Sequence, residues 1–324
     1  MRSEANDAKR KPFSDISSEG EMKIAYLVFA YKNPQLIKRE IEALSSENSA
    51  FFVHIDKKSN LSDFSSVRGQ NVFYVDERIP VYWGEFSGVR AIMLLMRKAL
   101  ERAEKYDYLI LLSGSEYPLR SRQYIEKFLT QYEGDEFIKL IKVPGPGKPL
   151  SRFTTRRYES TKPIRRFVSR VLAKFGLAQR DPRKFLGNLE LYSGRTWWTL
   201  TRGACEFILR FAEENPHVEE FFADSFAPEE SFFHTIIGNS EFCSHVRGNL
   251  LYEDWSEGGS HPKMIAGEHI AHFKSHMQIF DLSEGPSELL FARKFSDETL
   301  ERIDQVDTMI EWKEQRASST RAGI

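Results

Sequence analysis

The chain has 324 residues, 41% of them hydrophobic, which is enough apolar material for one large domain or two small ones. Its 46 basic and 47 acidic residues leave a formal net charge of −1, which argues against a nucleic-acid binder that works by bulk charge. With only Cys205 and Cys243, a disulfide framework and a four-cysteine zinc site are both excluded, and both cysteines are read as buried free thiols.

Residues 1–21 form a polar leader without the apolar core of a signal peptide, and are expected to be disordered. Order is expected from Met22. Lys23–Ala30 is an apolar run of buried-strand type. Asn33-Pro34 opens a helix to about Leu44, with Leu36, Ile37, Ile41 and Leu44 on one face. Strands are predicted at Ala50–Ile55, Asn71–Val75 and Tyr106–Leu112, with a helix over Val89–Ala103. Buried strands alternating with helices predict an α/β domain with a mainly parallel sheet. Ligands of such sheets sit beyond the carboxyl ends of the strands.

Lys142–Pro149 reads as a loop. A basic insertion covers about 144–187, and its Arg-rich part, 152–184, reads as a solvated, an acceptor-binding or a membrane-docking segment. Strand character returns over Tyr192–Leu200. A helix over Arg202–Glu213 turns Cys205, Ile208 and Leu209 inward. The catalytic domain is expected to span 22–300, followed by an amphipathic helix and a frayed tail over 301–324. No apolar run approaches the ~20 residues that a membrane span needs.

Five constellations carry chemistry. In His54-Ile-Asp56, an acidic side chain after a strand suits a ribose or base, and equally a cap. In Trp83-Gly84, an aromatic wall stands beside a backbone that a ligand can approach, or the pair is simply a turn. Leu112-Ser113-Gly114-Ser115-Glu116 follows the most apolar strand and suits sugar hydroxyls. Pro228-Glu229-Glu230 sits among Phe226, Phe232 and Phe233. One glutamate there is explained by helix-start chemistry, and a carboxylate among rings has a raised pKa suited to a general base. The last constellation joins Asp254-Trp255, the Gly258–Lys263 stretch and Leu290–Phe295, where Arg293 and Lys294 suit a diphosphate leaving group. Metalloprotease, Gly-rich phosphate-loop, nucleophile-elbow and Asp-x-Asp patterns are absent from the sequence.

Together, His54-Ile-Asp56, Trp83-Gly84, Leu112–Leu119, Pro228–Phe232, Asp254-Trp255 and Leu290–Phe295 resemble, in family order, the core-2/I-branching enzyme family of β-1,6-N-acetylglucosaminyltransferases and peptide O-xylosyltransferases. The resemblance spans about 23–295. It implies a GT-A-like nucleotide-sugar-binding fold. It also implies inverting, metal-independent transfer of GlcNAc or xylose from a UDP-sugar co-substrate to a glycan, glycolipid or peptide hydroxyl, with no cofactor. By the same resemblance Glu230 is the catalytic base. Asp56, His54, Trp83, Gly84, Ser113, Gly114, Glu116, Arg293 and Lys294 fall to the nucleotide sugar, and Glu229, Asp254 and Trp255 to the acceptor. Glu229 and Glu116 stand where the family usually has Asp. A second diphosphate cation is expected among Lys274, Lys263 and Arg247. Animal members carry an N-terminal anchor and many disulfides, so this chain is expected to be a bacterial-type soluble domain, cytoplasmic or peripheral at the inner membrane face. The alternatives are a transferase using UDP-glucuronate or another UDP-hexose in polysaccharide synthesis, a non-catalytic carbohydrate-binding protein on the same fold, or a basic-loop protein docking on anionic membranes.

Overall fold

The computed structural model describes residues 22–157, 163–176, 179–259, 261–276 and 288–321. The leader, Ser260 and the last three residues fall outside that range. The core is a seven-stranded sheet in the order β10-β6-β9-β4-β1-β2-β3. Its centre is β1 (Ile24–Ala30), β2 (Ser49–Ile55) and β4 (Tyr108–Ser113). These are the apolar runs of the sequence, and their buried faces pack between helices. Parallel register pairs Ala30 with Ile55 and Phe29 with Ser113, so three strands end at one edge. β3 (Val72–Tyr74) extends the sheet in parallel. On the other side β9 (Thr199–Thr201) runs antiparallel to β4 and to β6 (Glu136–Phe137), and β10 (Val246–Arg247) is parallel to β6. The mainly parallel α/β expectation therefore holds.

The first helix, α1 (Pro34–Leu44), buries the predicted face, and α2 (Ser87–Leu100) covers β1 and β2. Asn33 heads α1 but leaves its amides uncapped, with φ at 61° and its Nδ2 donating to the Gly114 carbonyl at 2.5 Å. Asp297 caps instead, accepting from Leu36 N at 2.8 Å and Gln35 N at 3.3 Å. An anion at a helix N-terminus satisfies its open N–H groups, so the C-terminal part of the chain completes an element near the start. Tyr192–Leu200 divides into β8 (Tyr192–Ser193), paired with β7 (Ile141–Lys142), and the sheet strand β9. Cys205 is buried as expected; Cys243 is a free thiol only partly buried.

A second, three-stranded sheet places β12 (Phe291–Arg293) between β11 (Leu251–Glu253) and β5 (Glu116–Pro118). It packs a second core with Leu36, Phe273, Phe295 and the C-terminal helix residues Ile303, Val306 and Met309. That helix, Leu300–Arg321, is also tied to α1 by Arg39, which reaches Asp304 at 2.8 Å and Asp307 at 2.7 Å.

One buried group stands out between these parts. Glu40 on α1 is fully buried, and its carboxyl has no hydrogen-bond partner among the described residues. Burial pushes its pKa well above the ordinary 4.5, and the Glu116 charge adds to this. The folded chain therefore holds a proton that the unfolded chain releases, so stability falls as pH rises above the unfolded value. Glu40→Gln removes that dependence. Its melting temperature should exceed that of the wild type by about 2 °C or more at pH 8, with a smaller gain at pH 5. Equal differences at both pH values in thermal melts contradict a buried, protonated Glu40.

Candidate functional site

The aligned strand ends bring Tyr31-Lys32, Asp56–Lys58 and Ser113–Glu116 to one edge, where ligands of parallel sheets bind. A cleft of about 490 Å³ opens there, lined by Tyr31, Asp56, Lys58, Tyr82, Trp83, Gly84, Glu229 and His261 among others. A larger cavity, about 760 Å³, lies at the opposite edge beside Asp107, Glu136 and Thr201. Glu136 there is already occupied, accepting from Thr201 N at 2.8 Å and from its hydroxyl at 2.5 Å. Strand polarity therefore favours the smaller cleft.

One wall of the cleft is sewn to the end of β2. The Asp56 carboxylate accepts from Lys58 N at 2.9 Å and Val81 N at 3.3 Å, and lies 3.4 Å from the Lys58 ammonium. His54 is not in the lining. Its buried Nε2 accepts from Ile79 N at 2.9 Å, and burial lowers its pKa to about 4, so the ring is neutral and holds the 79–82 segment in place. Trp83 is 67% exposed and meets Phe226 edge-on at 5.5 Å. Gly84 has φ +71°, and a Cβ there would come within 3.2 Å of the Phe226 ring. Its carbonyl accepts from Ala227 N at 3.0 Å. The Trp83-Gly84 turn is thus docked on the residues that lead into Pro228-Glu229-Glu230. Those three form a 3-10 turn before the helix Phe232–Gly238.

The two glutamates part company. Glu229 lines the cleft; burial raises its pKa to about 7, with the Glu230 charge adding. Its Oε2 finds no hydrogen-bond partner among the described residues. Glu230 Oε2 instead accepts from Lys148 Nζ at 2.6 Å and from Arg152 at 2.8 Å. Its carbonyl accepts from Gly194 N and from Ser193 Oγ, each at 2.8 Å. Lys148 and Arg152 come from the loop and the basic stretch. Sequence reasoning assigned neither of them to the site, because a pairing across some 80 residues leaves no local pattern.

The other wall is a ladder of charge. In the three-stranded sheet, Arg293 is in register with Glu253 on one side and Glu116 on the other. Its guanidinium lies 3.2 Å from the Glu116 carboxylate, 3.5 Å from Glu253 and 4.7 Å over the Trp197 ring. Arg195 adds a contact to Glu253 at 3.2 Å. Glu116 is fully buried and also accepts from Ser113 Oγ at 2.7 Å. Gly114 has no room for a side chain, since a Cβ would stand 2.8 Å from the Lys32 carbonyl. Ser113, Gly114 and Glu116 thus build the shelf under Arg293.

Beyond that shelf lies a cationic group. Burial lowers the Lys294 pKa, and the charges of Arg293 and Lys32 lower it further. His261, in the cleft lining, is likewise lowered by burial and then by Lys294, Arg293 and Lys32. Cations that depress one another make a site suited to an anion. Arg247 and Lys274 are elsewhere, Arg247 paired with Asp135 and Lys274 over Trp312 at 5.4 Å, while Lys263, whose carbonyl accepts from Lys294 N at 3.2 Å, has its ammonium 3.3 Å from Glu257. Lys32 was not picked out by sequence, although it lies two residues after β1, and His261 was read only as part of the Gly258–Lys263 stretch. Asp254 accepts from His269 at 2.9 Å and from Ser256 N at 2.8 Å, and these bonds lower its pKa to about 2. It shapes the loop that carries His261, and the adjacent Trp255 is 44% exposed. Among the described residues no group of three or more His, Cys, Asp or Glu is arranged to hold a metal ion.

The chain is 28% identical over 247 residues to rat xylosyltransferase 2, 27% to the human form, and 23% over 262 residues to xylosyltransferase sqv-6 of Caenorhabditis briggsae. These matches cover 72–76% of this chain and 27–30% of the relatives, so the chain spans under a third of their length. Mouse xyloside xylosyltransferase 1 aligns over 83% of this chain and 97% of its own at 10% identity and a TM-score of 0.35, too distant to bear on the fold. The family model described as "Branch: Core-2/I-Branching enzyme" matches residues 24–278, which takes in the central sheet, the cleft and the Glu229-Glu230 turn. The chain belongs to the Core-2/I-branching enzyme family.

Proposed function

We propose that this domain transfers a sugar from a UDP-sugar to an acceptor hydroxyl with inversion and without a metal ion, giving a β-linkage. The observation that carries the reading is the polarity of the cleft. Carboxylates stand on the Pro228-Glu229-Glu230 turn, and the cations Lys32, Arg293 and Lys294 gather around His261 at the far wall. Transfer separates charge along that axis. The acceptor O–H gives its proton to a carboxylate as oxygen bonds to the anomeric carbon, and the bond to the diphosphate breaks with its electrons leaving on UDP. Trp83 and Tyr82 offer rings for the sugar or base. Of the two donors that the resemblance implies, xylose is supported by the names of the curated relatives. UDP release across UDP-xylose, UDP-GlcNAc, UDP-glucuronate, UDP-glucose and UDP-galactose tests this. Turnover is expected with UDP-xylose or UDP-GlcNAc and unchanged by EDTA; loss in EDTA with rescue by manganese refutes metal independence.

We assign the base to Glu230, paired with Lys148 and Arg152 and released to the acceptor hydroxyl when substrate enters. A second assignment, to Glu229, is favoured by its place in the cleft lining and its pKa of about 7. Glu230→Gln should lower transfer by about two to four orders of magnitude, with UDP still bound. If Glu229→Gln shows that loss and Glu230→Gln turns over normally, the base is Glu229.

The cationic wall should also set a pH dependence. Burial and the neighbouring cations lower the Lys294 pKa, so its charge is present at low pH and lost, as pH rises, earlier than in an ordinary lysine. UDP affinity should therefore fall on the alkaline side, and the fall should vanish in Lys294→Met, whose UDP binding is weak throughout. Calorimetric titration of UDP between pH 6 and 10 checks this; a flat profile in the wild type removes Lys294 from the diphosphate site.

A further inference from the structure

The basic stretch reaches the carboxylate turn through Arg152, which donates to Glu230. From Arg152 to Lys184 it carries eleven Lys and Arg against two acidic residues, in a chain of net charge −1. Its two legs are fixed to the domain. Thr155 bridges Gln179. Between them Arg180 is buried, donating to the Phe153 and Phe221 carbonyls at 2.8 Å and to Ser225 Oγ at 2.6 Å. Arg157 N donates to the Asp224 carbonyl at 2.7 Å. What extends between these legs includes a helix, Pro163–Lys174.

That helix has an apolar stripe at helical spacing: Ile164, Phe167, Val168, Val171, Leu172 and, one residue past its end, Phe175. All six are exposed, with Ile164 at 79%, Phe167 at 66% and Phe175 at 73%. Between them the sequence puts Arg165, Arg166, Arg170 and Lys174, and no acidic residue. Large apolar side chains exposed at this density mark a contact surface. Twelve residues rise only about 18 Å, too short for the ~30 Å hydrocarbon core, and no helix of the described residues is long and apolar enough to span.

We propose that the helix Pro163–Lys174 lies in the plane of an anionic lipid surface, with its apolar stripe in the headgroup boundary and its cations on the phosphates. Charge selects this occupant. A second copy would set four cations against four, which repel. A stripe about 18 Å long falls short of the ~800 Å² per partner that a stable protein interface buries. A bilayer needs no matching surface; apolar insertion and attraction to anionic headgroups act together. This surface is independent of how the cleft is read.

The test is co-sedimentation of the full chain with vesicles of phosphatidylcholine alone and with 30% phosphatidylglycerol. Pelleting is expected only with the anionic vesicles, and about 0.5 M salt should release the protein. Phe167→Glu with Val171→Glu, and separately Arg165→Gln with Arg166→Gln and Arg170→Gln, should each weaken binding about ten-fold or more. Both variants should keep the wild-type melting temperature and UDP affinity. Failure of the wild type to pellet with anionic vesicles overturns the proposal, as does unchanged pelleting of the Phe167/Val171 variant. Self-association lost in that variant, or capture by polyglutamate beads without vesicle binding, reassigns the face to a protein and equally overturns it.

Discussion

The row Glu253–Arg293–Glu116 holds the two halves of the molecule in one frame. Glu116 closes the turn after β4, Glu253 ends β11, and Arg293 stands between them in lateral register. Opposite charges directly across a sheet stabilise register, and a buried pair is costly to break because it strands its partner. Glu116 is fully buried and Arg293 nearly so, which puts this row in that regime. The row brings the C-terminal strand to the edge where β1, β2 and β4 end. It thereby fixes the direction in which the next residue, Lys294, enters the site. Asp297, a few residues later, then caps α1.

This frame explains how the cleft is polar along its length while the protein is nearly neutral overall. Carboxylates that would neutralise the cationic wall are already engaged: Glu116 and Glu253 with Arg293, and Asp254 with His269. Lys32, Lys294 and His261 are left to raise one another's free energy when protonated. At the other wall, cations engage Glu230 while Glu229 faces the cavity. Each wall therefore has an inner layer of paired charge and an outer layer with capacity left for a ligand, which is how a preorganised electrostatic site is built.

Much of this was legible in the sequence, and the limits have physical causes. β1, β2 and β4 announced themselves because both faces are buried, leaving continuous apolar runs. α1 showed its face at helical spacing. The strands β10, β11 and β12 have two or three residues each, below the length at which a period can be read. Asn33 looked like an ordinary cap, yet Asp297 does the capping, 261 residues beyond the Leu36 amide that it accepts from. Of the site residues, Asp56, Trp83, Gly84, Glu229 and Lys294 were visible by residue type after a strand or in a motif. His54 and Glu116 were visible too, but they face inward and support the wall. Lys32, Lys148 and Arg152 carry no motif of their own; only the fold brings them to the site.

The basic excursion and the carboxylate turn share a root. Arg152 leads into one leg and reaches Glu230. Arg180 begins the other and bonds Ser225, five residues before Glu230. The Asp224 carbonyl receives Arg157 N from the leg that Arg152 leads into. A displacement of the legs must therefore either drag the 224–230 segment or break buried bonds, and breaking hydrogen bonds to a buried guanidinium costs more than breaking neutral ones. Forces on the exposed helix are thus transmitted to the turn that bears the proposed base. If a surface holds that helix, it holds the acceptor side of the cleft in a set orientation toward that surface, and hydroxyls displayed there gain in effective concentration without any new contact in the site.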